Sequence, residues 1–343
     1  MKIGIIGLQG SGKTTIFETL IKEAGLDIKY GTYGEERLKP HIGTINIKDE
    51  RLTKLAEAFK PKKTTYAELT FLDRPGFDLA SAKETDAIII VISMFLGRDP
   101  IKEINDVEAE LIISDLGIVQ NTLKRLEKES KGGGKKEEEI EKGLLIRANK
   151  LLENGVGLRE MELLEQERKL LHGFQFLTQK AAVWVLNVQE SELGKEAPPA
   201  VAELLNKKGL RFVEFCAEIE LEIQELSREE RPEYMKSLGI GRSARDKLVA
   251  SLLETLKLVT FFTVKGDEAR AWLVRRDTKV IDAAGKIHSD MARGFIRAEV
   301  VNYKELIDYG FSFQEAKKKG HHRLEGRDYI VKDGDVLDIR FSV

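Results

Sequence analysis

The residues best suited to chemistry stand at the start of the chain, in GLQGSGKT, Gly7–Thr14. Their spacing satisfies G-x-x-x-x-G-K-[ST], a loop whose successive backbone N–H groups converge on one phosphate. Gly10 and Gly12 allow close approaches that a side chain would obstruct, and Ser11 lies between them. Lys13 is the candidate catalytic residue, a cation able to reach the outer phosphates. The Thr14 hydroxyl is a candidate magnesium ligand, and Thr15 continues into a helix whose positive end faces the anion. Residues 10–15 together form the candidate cofactor-binding loop.

Two further stretches narrow the chemistry. DRPG, Asp73–Gly76, directly follows the apolar run AELTFL. There Asp73 can hold magnesium or its water shell, and the Gly76 N–H can meet the γ-phosphate. The plainer alternative is a strand-ending Pro-Gly turn. NVQE, Asn187–Glu190, follows AAVWVL. GTPases with this architecture usually carry Asn-Lys-x-Asp at this place, with the aspartate reading guanine. Val188 and Glu190 replace that lysine and aspartate. The longer carboxylate crowds guanine's 2-amino edge and reaches toward adenine's 6-amino donor. A loop with no nucleotide role is the alternative here.

Such residues must be carried by strand ends. KIGII, AELTFLD (67–73), AIIIVISMF (87–95), AAVWVLN (181–187) and LRFVEFCA (210–217) are nearly continuous apolar runs. They predict five strands of one doubly wound α/β sheet, covered on both faces. Val107, Leu111, Val119, Leu123 and Leu126, then Ile140, Leu144, Ala148 and Leu151, recur at helical intervals around KGGGKKEEE. That pattern predicts an inserted antiparallel helical hairpin. From Val259 onward, short alternating runs and the Asp-Gly turn of KDGD predict a small α+β module. The expected organisation is a nucleotide-binding domain in two parts, 1–103 and 173–258, an arm at 104–172 and a final module at 259–343.

Composition excludes several classes. The chain has 343 residues, with 56 basic and 58 acidic side chains and a net charge of -2, so any nucleic-acid contact must be local. The densest basic run of the final module is KKKGHHR, Lys317–Arg323, in a module of 16 basic and 14 acidic residues. It reads equally as an RNA-facing patch or a solvated helix end. The single cysteine, Cys216, rules out an intramolecular disulfide and fits a reducing, cytoplasmic setting. No apolar run approaches the ~18 residues of a membrane span. The first residues pass straight into a strand, so no cleavable signal is expected. The five histidines lack metal-ligand spacing. A monomer is expected.

These stretches together resemble the YchF or Obg-like ATPases over nearly the whole chain. The resemblance also runs through KDERLTKLAEAFKPKK (48–63), CAEIELEIQEL (216–226), AAGKIHSDMARGFIRAEVV (283–301) and EGRDYIVKDGDV (325–336). It implies a TRAFAC-class nucleotide domain, a C-terminal TGS-like module, ATP with Mg²⁺ as cofactors, and a ribosome or ribosomal subunit as partner. It also implies that Asn187 and Glu190 read the base, with Cys216 and Ala217 beside it. There are departures. The glycine-rich insertion after the DxxG motif is cut short at GFDLASAKETDA, and Arg37 aligns where a magnesium-binding threonine is expected. The family's hydrolytic histidine has no counterpart in FLGRDPIKEIND. Two readings stay open on these residues: slow ATP hydrolysis that times release from a ribosomal partner, or an ATP-gated binding switch whose hydrolysis is lost. A GTP-binding protein is the remaining alternative.

Overall fold

The computed structural model describes residues 1–22, 41–95, 97–129, 136–227 and 229–342. Arg37 and the expected hairpin tip at Gly132–Gly134 lie outside the described residues. The chain divides into two compact units, residues 1–43 with 70–252, and residues 44–69 with 253–343.

In chain order the strands are β1 (Lys2–Ile6), β2 (His41–Ile47), β3 (Lys63–Thr65), β4 (Ala67–Asp73), β5 (Ala87–Ser93), β6 (Ala181–Asn187) and β7 (Phe212–Phe215). They continue with β8 (Leu258–Lys265), β9 (Glu268–Arg275), β10 (Phe295–Asn302), β11 (Arg323–Glu325) and β12 (Asp335–Phe341). The first sheet runs β2-β4-β1-β5-β6-β7, and β1 pairs in parallel with both β4 and β5, as do β5 with β6 and β6 with β7. All five expected strands are present. β7 is shorter than its apolar run, because Cys216 already caps the helix Ala217–Glu225. β2 was not foreseen: HIGTINI alternates only weakly, and its first residues follow a polar stretch.

Apolar content explains the sheet's burial on both sides. Ile88, Ile90, Ile92, Trp184 and Leu186 pack under helices at Ala82, Ile104, Val107, Leu111, Val201 and Leu205. The alternate residues Ile89, Val91, Val183 and Val185 are equally buried. Helices α1 (Lys13–Ile21), α2 (Glu50–Phe59), α3 (Leu79–Lys83), α4 (Pro100–Glu129) and α5 (Lys136–Glu153) follow the strands in turn. The hairpin of α4 and α5 closes around Ile112, Val119, Leu144, Leu145, Ala148 and Leu152. Ile104, Val107 and Leu111, however, face the sheet rather than α5. The root of the expected arm is therefore core of the first unit, and Asp115 reinforces it. Its carboxylate accepts from Leu177 N (2.8 Å), Thr178 N (2.8 Å) and Thr178 Oγ1 (2.7 Å).

In the second unit the sheet order is β11-β10-β12-β8-β9-β3. β8 and β9 form an antiparallel hairpin through Gly266, and β10 pairs antiparallel with β12. The Asp-Gly turn closes as expected, with Asp335 N donating to Lys332 O at 3.2 Å. Residues 44–69 join this unit because β3 pairs in parallel with β9, and Phe59 of α2 packs on Phe311 and Phe313. Arg51 adds a clamp, pairing with Asp49 at 2.8 Å and Asp333 at 2.6 Å. Among the described residues no helix is long and apolar enough to cross a membrane.

Candidate nucleotide site

Parallel order places the ends of β4, β1, β5, β6 and β7 along one edge of the sheet, where such folds bind ligands. The loop after β1 turns tightly, Ser11 N donating to Leu8 O at 3.2 Å, and Gly12 adopts φ 93° at the N-cap of α1. Gly12 brings no side-chain cap, so the first amides of α1 remain available to an anion. A Cβ on Gly12 would overlap the Asn187 amide nitrogen. That nitrogen donates to Ser11 O at 3.0 Å, so the last residue of β6 braces the loop directly.

Lys13, buried, donates its ammonium to Gly7 O (2.8 Å) and Leu8 O (3.0 Å), which turns it back over the loop. Burial pulls its pKa down, while the Asp73 and Glu103 carboxylates push the other way. Thr14 Oγ1 donates to Asp73 Oδ2 at 2.9 Å, and His41 Nδ1 lies 3.3 Å from the same oxygen. Asp73 is 1% exposed, and its Oδ1 has no hydrogen-bond partner among the described residues. A buried, unpartnered carboxylate oxygen beside a threonine hydroxyl is the hard oxygen donor set that suits Mg²⁺. Ser11 Oγ is likewise buried inside the loop, with no partner among the described residues. The residues present thus fit a phosphate and a divalent cation. Among the described residues no cluster of three His, Cys, Asp or Glu side chains forms a metal site on its own.

The other expected residues are placed less tightly. Gly76 is exposed with φ 81°, three residues beyond Asp73. Phe77 packs against the sheet core, and Asp78 caps α3 through Ala80 N (3.0 Å) and Ser81 N (3.2 Å). The shortened segment after Gly76 is therefore a capped turn rather than a long loop. Glu190 is exposed on a short turn after β6, while Val188 packs with Cys216, Ile219 and Ile223. Cys216 is buried at the N-cap of the helix that begins with Ala217, and burial pushes its thiol up, with Glu190 among the nearby charges. Asn187, Glu190, Cys216 and Ala217 thus line the ends of β6 and β7.

Residues 258–342 match the family model described as YchF-GTPase_C, protein of unknown function (DUF933). The chain is 35% identical over 367 residues to the ribosome-binding ATPase YchF of Haemophilus influenzae, covering 100% of this chain and 99% of that protein. The chain belongs to the YchF family. The ribosome-binding ATPase YchF of Bacillus subtilis is 34% identical, covering 99% of each chain. The fold matches the structure of the Schizosaccharomyces pombe YchF GTPase with a TM-score of 0.84 at 24% identity, over 99% of this chain and 97% of that one.

Three groups at this YchF-type site escaped the motifs. His41 belongs to no phosphate-binding motif, and its place beside Asp73 follows from β2, which the sequence pattern does not announce. Glu103 is 3% exposed on α4, and Arg98 lies two residues before that helix. Neither belongs to a phosphate-loop signature. Only their position just after an apolar strand could have marked them.

Proposed function

We propose that the protein is a slow ATPase whose nucleotide state controls binding to a ribosome or ribosomal subunit. The observation that carries this reading is the Lys13, Thr14 and Asp73 group, with the unpartnered Asp73 Oδ1, at the sheet edge. Lys13 binds the outer phosphates and stabilises their charge, and the amides of residues 10–15 orient them. Thr14 and Asp73 hold Mg²⁺, which supplies charge neutralisation when bound. Asn187 fixes the loop, while Glu190, Cys216 and Ala217 bound the base and favour adenine. ATP is therefore expected to bind more tightly than GTP in titrations with both nucleotides.

The names of the relatives support the ribosomal partner. Within the basic run, Lys318 pairs with Glu315, His321 with Glu305 and Arg323 with Glu325. Its RNA-facing charge thus rests mainly on the exposed Lys317 and Lys319. A cytoplasmic monomer fits this reading. The capped turn after Gly76 favours, as a second reading, an ATP-gated switch without hydrolysis. Single-turnover ATP cleavage by the wild type against Lys13→Ala separates the two. Cleavage lost in the variant supports the ATPase, and no cleavage by either supports the switch.

A further inference from the structure

Arg98 stands where neither the loop motif nor the base-reading motif places a residue. Its Nη2 donates to Gln9 O at 2.8 Å. Lys13 holds the two preceding carbonyls, Gly7 O and Leu8 O. Two cations therefore engage three successive residues of the phosphate loop. Between them lies Glu103, whose Oε2 is 3.9 Å from Arg98 Nη1 and has no hydrogen-bond partner among the described residues. Glu103 Oε1 accepts from Ser93 N at 3.4 Å, which ties the group to the end of β5. Burial pushes the Glu103 carboxyl up, against the opposing pull of Arg98 and Lys13.

The backbone holds Arg98 in place. Gly97 turns with φ 65°, and Asp99 caps α4 by accepting from Ile101 N (2.9 Å) and Lys102 N (3.4 Å). From five residues beyond Asp99, α4 is locked into the sheet core through Ile104 and Val107. The arginine thus projects from the turn that leads into a fixed helix start, a preorganised placement. Its side chain is 38% exposed, so the guanidinium is not walled off from a ligand. A guanidinium carries five N–H donors, and the bond to Gln9 O uses one.

We propose that Arg98 is a catalytic residue that donates to the outer phosphate during hydrolysis, supplying from within the chain a second positive charge beside Lys13. This rests on the ATPase reading above. In the reaction a water oxygen bonds to the γ-phosphorus as the bond from that phosphorus to the β–γ bridging oxygen breaks. The electron pair stays on that oxygen of ADP, one water proton leaves on inorganic phosphate, and the other passes to solvent. Negative charge grows on oxygens close to the loop, where a guanidinium stabilises it more than it stabilises bound ATP.

The test compares wild type, Arg98→Ala and Arg98→Lys in single-turnover ATP cleavage, with titration of a non-hydrolysable ATP analogue and of ADP with aluminium fluoride. Arg98→Ala should cleave more slowly by well over tenfold, toward the about 10³–10⁵-fold that an arginine in this role supplies. Its affinity for the analogue should stay close to wild type, and its affinity for ADP with aluminium fluoride should fall. Millimolar guanidinium chloride should restore part of the Arg98→Ala rate and leave the wild type unchanged, and Arg98→Lys should fall between the two. An unchanged rate in Arg98→Ala, while the wild type cleaves ATP, overturns this role and leaves the ATPase reading standing. A rate that falls only in step with analogue affinity, without guanidinium rescue, makes Arg98 a brace for the loop and also overturns it. No cleavage by the wild type overturns both.

Discussion

Gly12→Ala offers the sharpest check on the contact between the phosphate loop and β6. An alanine at φ 93° sits in a region that disfavours side chains, a strain of about 1–3 kcal/mol. Its Cβ also occupies the place of the Asn187 amide nitrogen, so that amide must move and release Ser11 O. The lost hydrogen bond adds about 1 kcal/mol, for a total near ~2–4 kcal/mol. Asn187→Ala alone loses only the hydrogen bond, about 1 kcal/mol. The double variant keeps the backbone strain but loses the bond once and has no amide to displace. Its destabilisation should therefore fall short of the sum by about 1 kcal/mol or more, a coupling within the range seen for residues in contact. Urea unfolding of the four proteins without nucleotide measures all four values. Costs that add to within about 0.5 kcal/mol would refute the direct contact.

Asp115→Ala should destabilise the first unit by about 2–4 kcal/mol in urea unfolding. It strands two buried amides at about 1–3 kcal/mol each, partly offset by removing a buried carboxylate, and Asp115→Asn should lose less. Replacing residues 121–143 by a short linker should preserve folding and ATP affinity while reducing co-sedimentation with ribosomes. Replacing 104–172 should unfold the protein, because it removes Ile104, Val107 and Leu111 from the sheet core; circular dichroism and pelleting distinguish the two. Burial works to raise the Asp78 carboxyl, but hydrogen bonds from Ser81 and Arg74 hold it below the usual range. Its stabilisation is then complete above the unfolded carboxylate value of about 4 and lost as pH falls through the folded value. Asp78→Asn should accordingly flatten the acid limb of urea midpoints measured against pH.

The phosphate loop, Asp73 and the five parallel strands were legible because each rests on local pattern: a fixed spacing or an unbroken apolar run. What stayed hidden depends on contacts between distant segments. Val107 and Leu111 show the same helical interval as Val119, yet the first two meet the sheet and the third meets α5, and periodicity carries no record of which neighbour a face finds. Residues 44–69 read in chain order as nucleotide domain, while β3 pairs with β9, some two hundred residues away by register of Lys63 with Glu268. Arg98 and Glu103 reach the loop through tertiary geometry alone. Asn187 was legible as the end of an apolar strand, but its bond to Ser11 O follows only from the adjacency of strand ends.

The pairing of β3 with β9 also bears on how the chain is made. Residues 44–69 leave the translating ribosome well before the strand they need, and residues 70–252 must be synthesised in between. At ~5–20 residues per second that interval lasts on the order of ten to forty seconds. During it the apolar side of α2, with Leu52 and Leu55, has no finished sheet to lie against, although both residues end fully buried. A fragment beginning at residue 258 meets the mirror problem: β9 keeps an open edge, and Phe311 and Phe313 lose the ring of Phe59. Such an edge invites pairing with another copy. The nascent chain is thus expected to need chaperone cover early, and the isolated C-terminal segment is expected to self-associate.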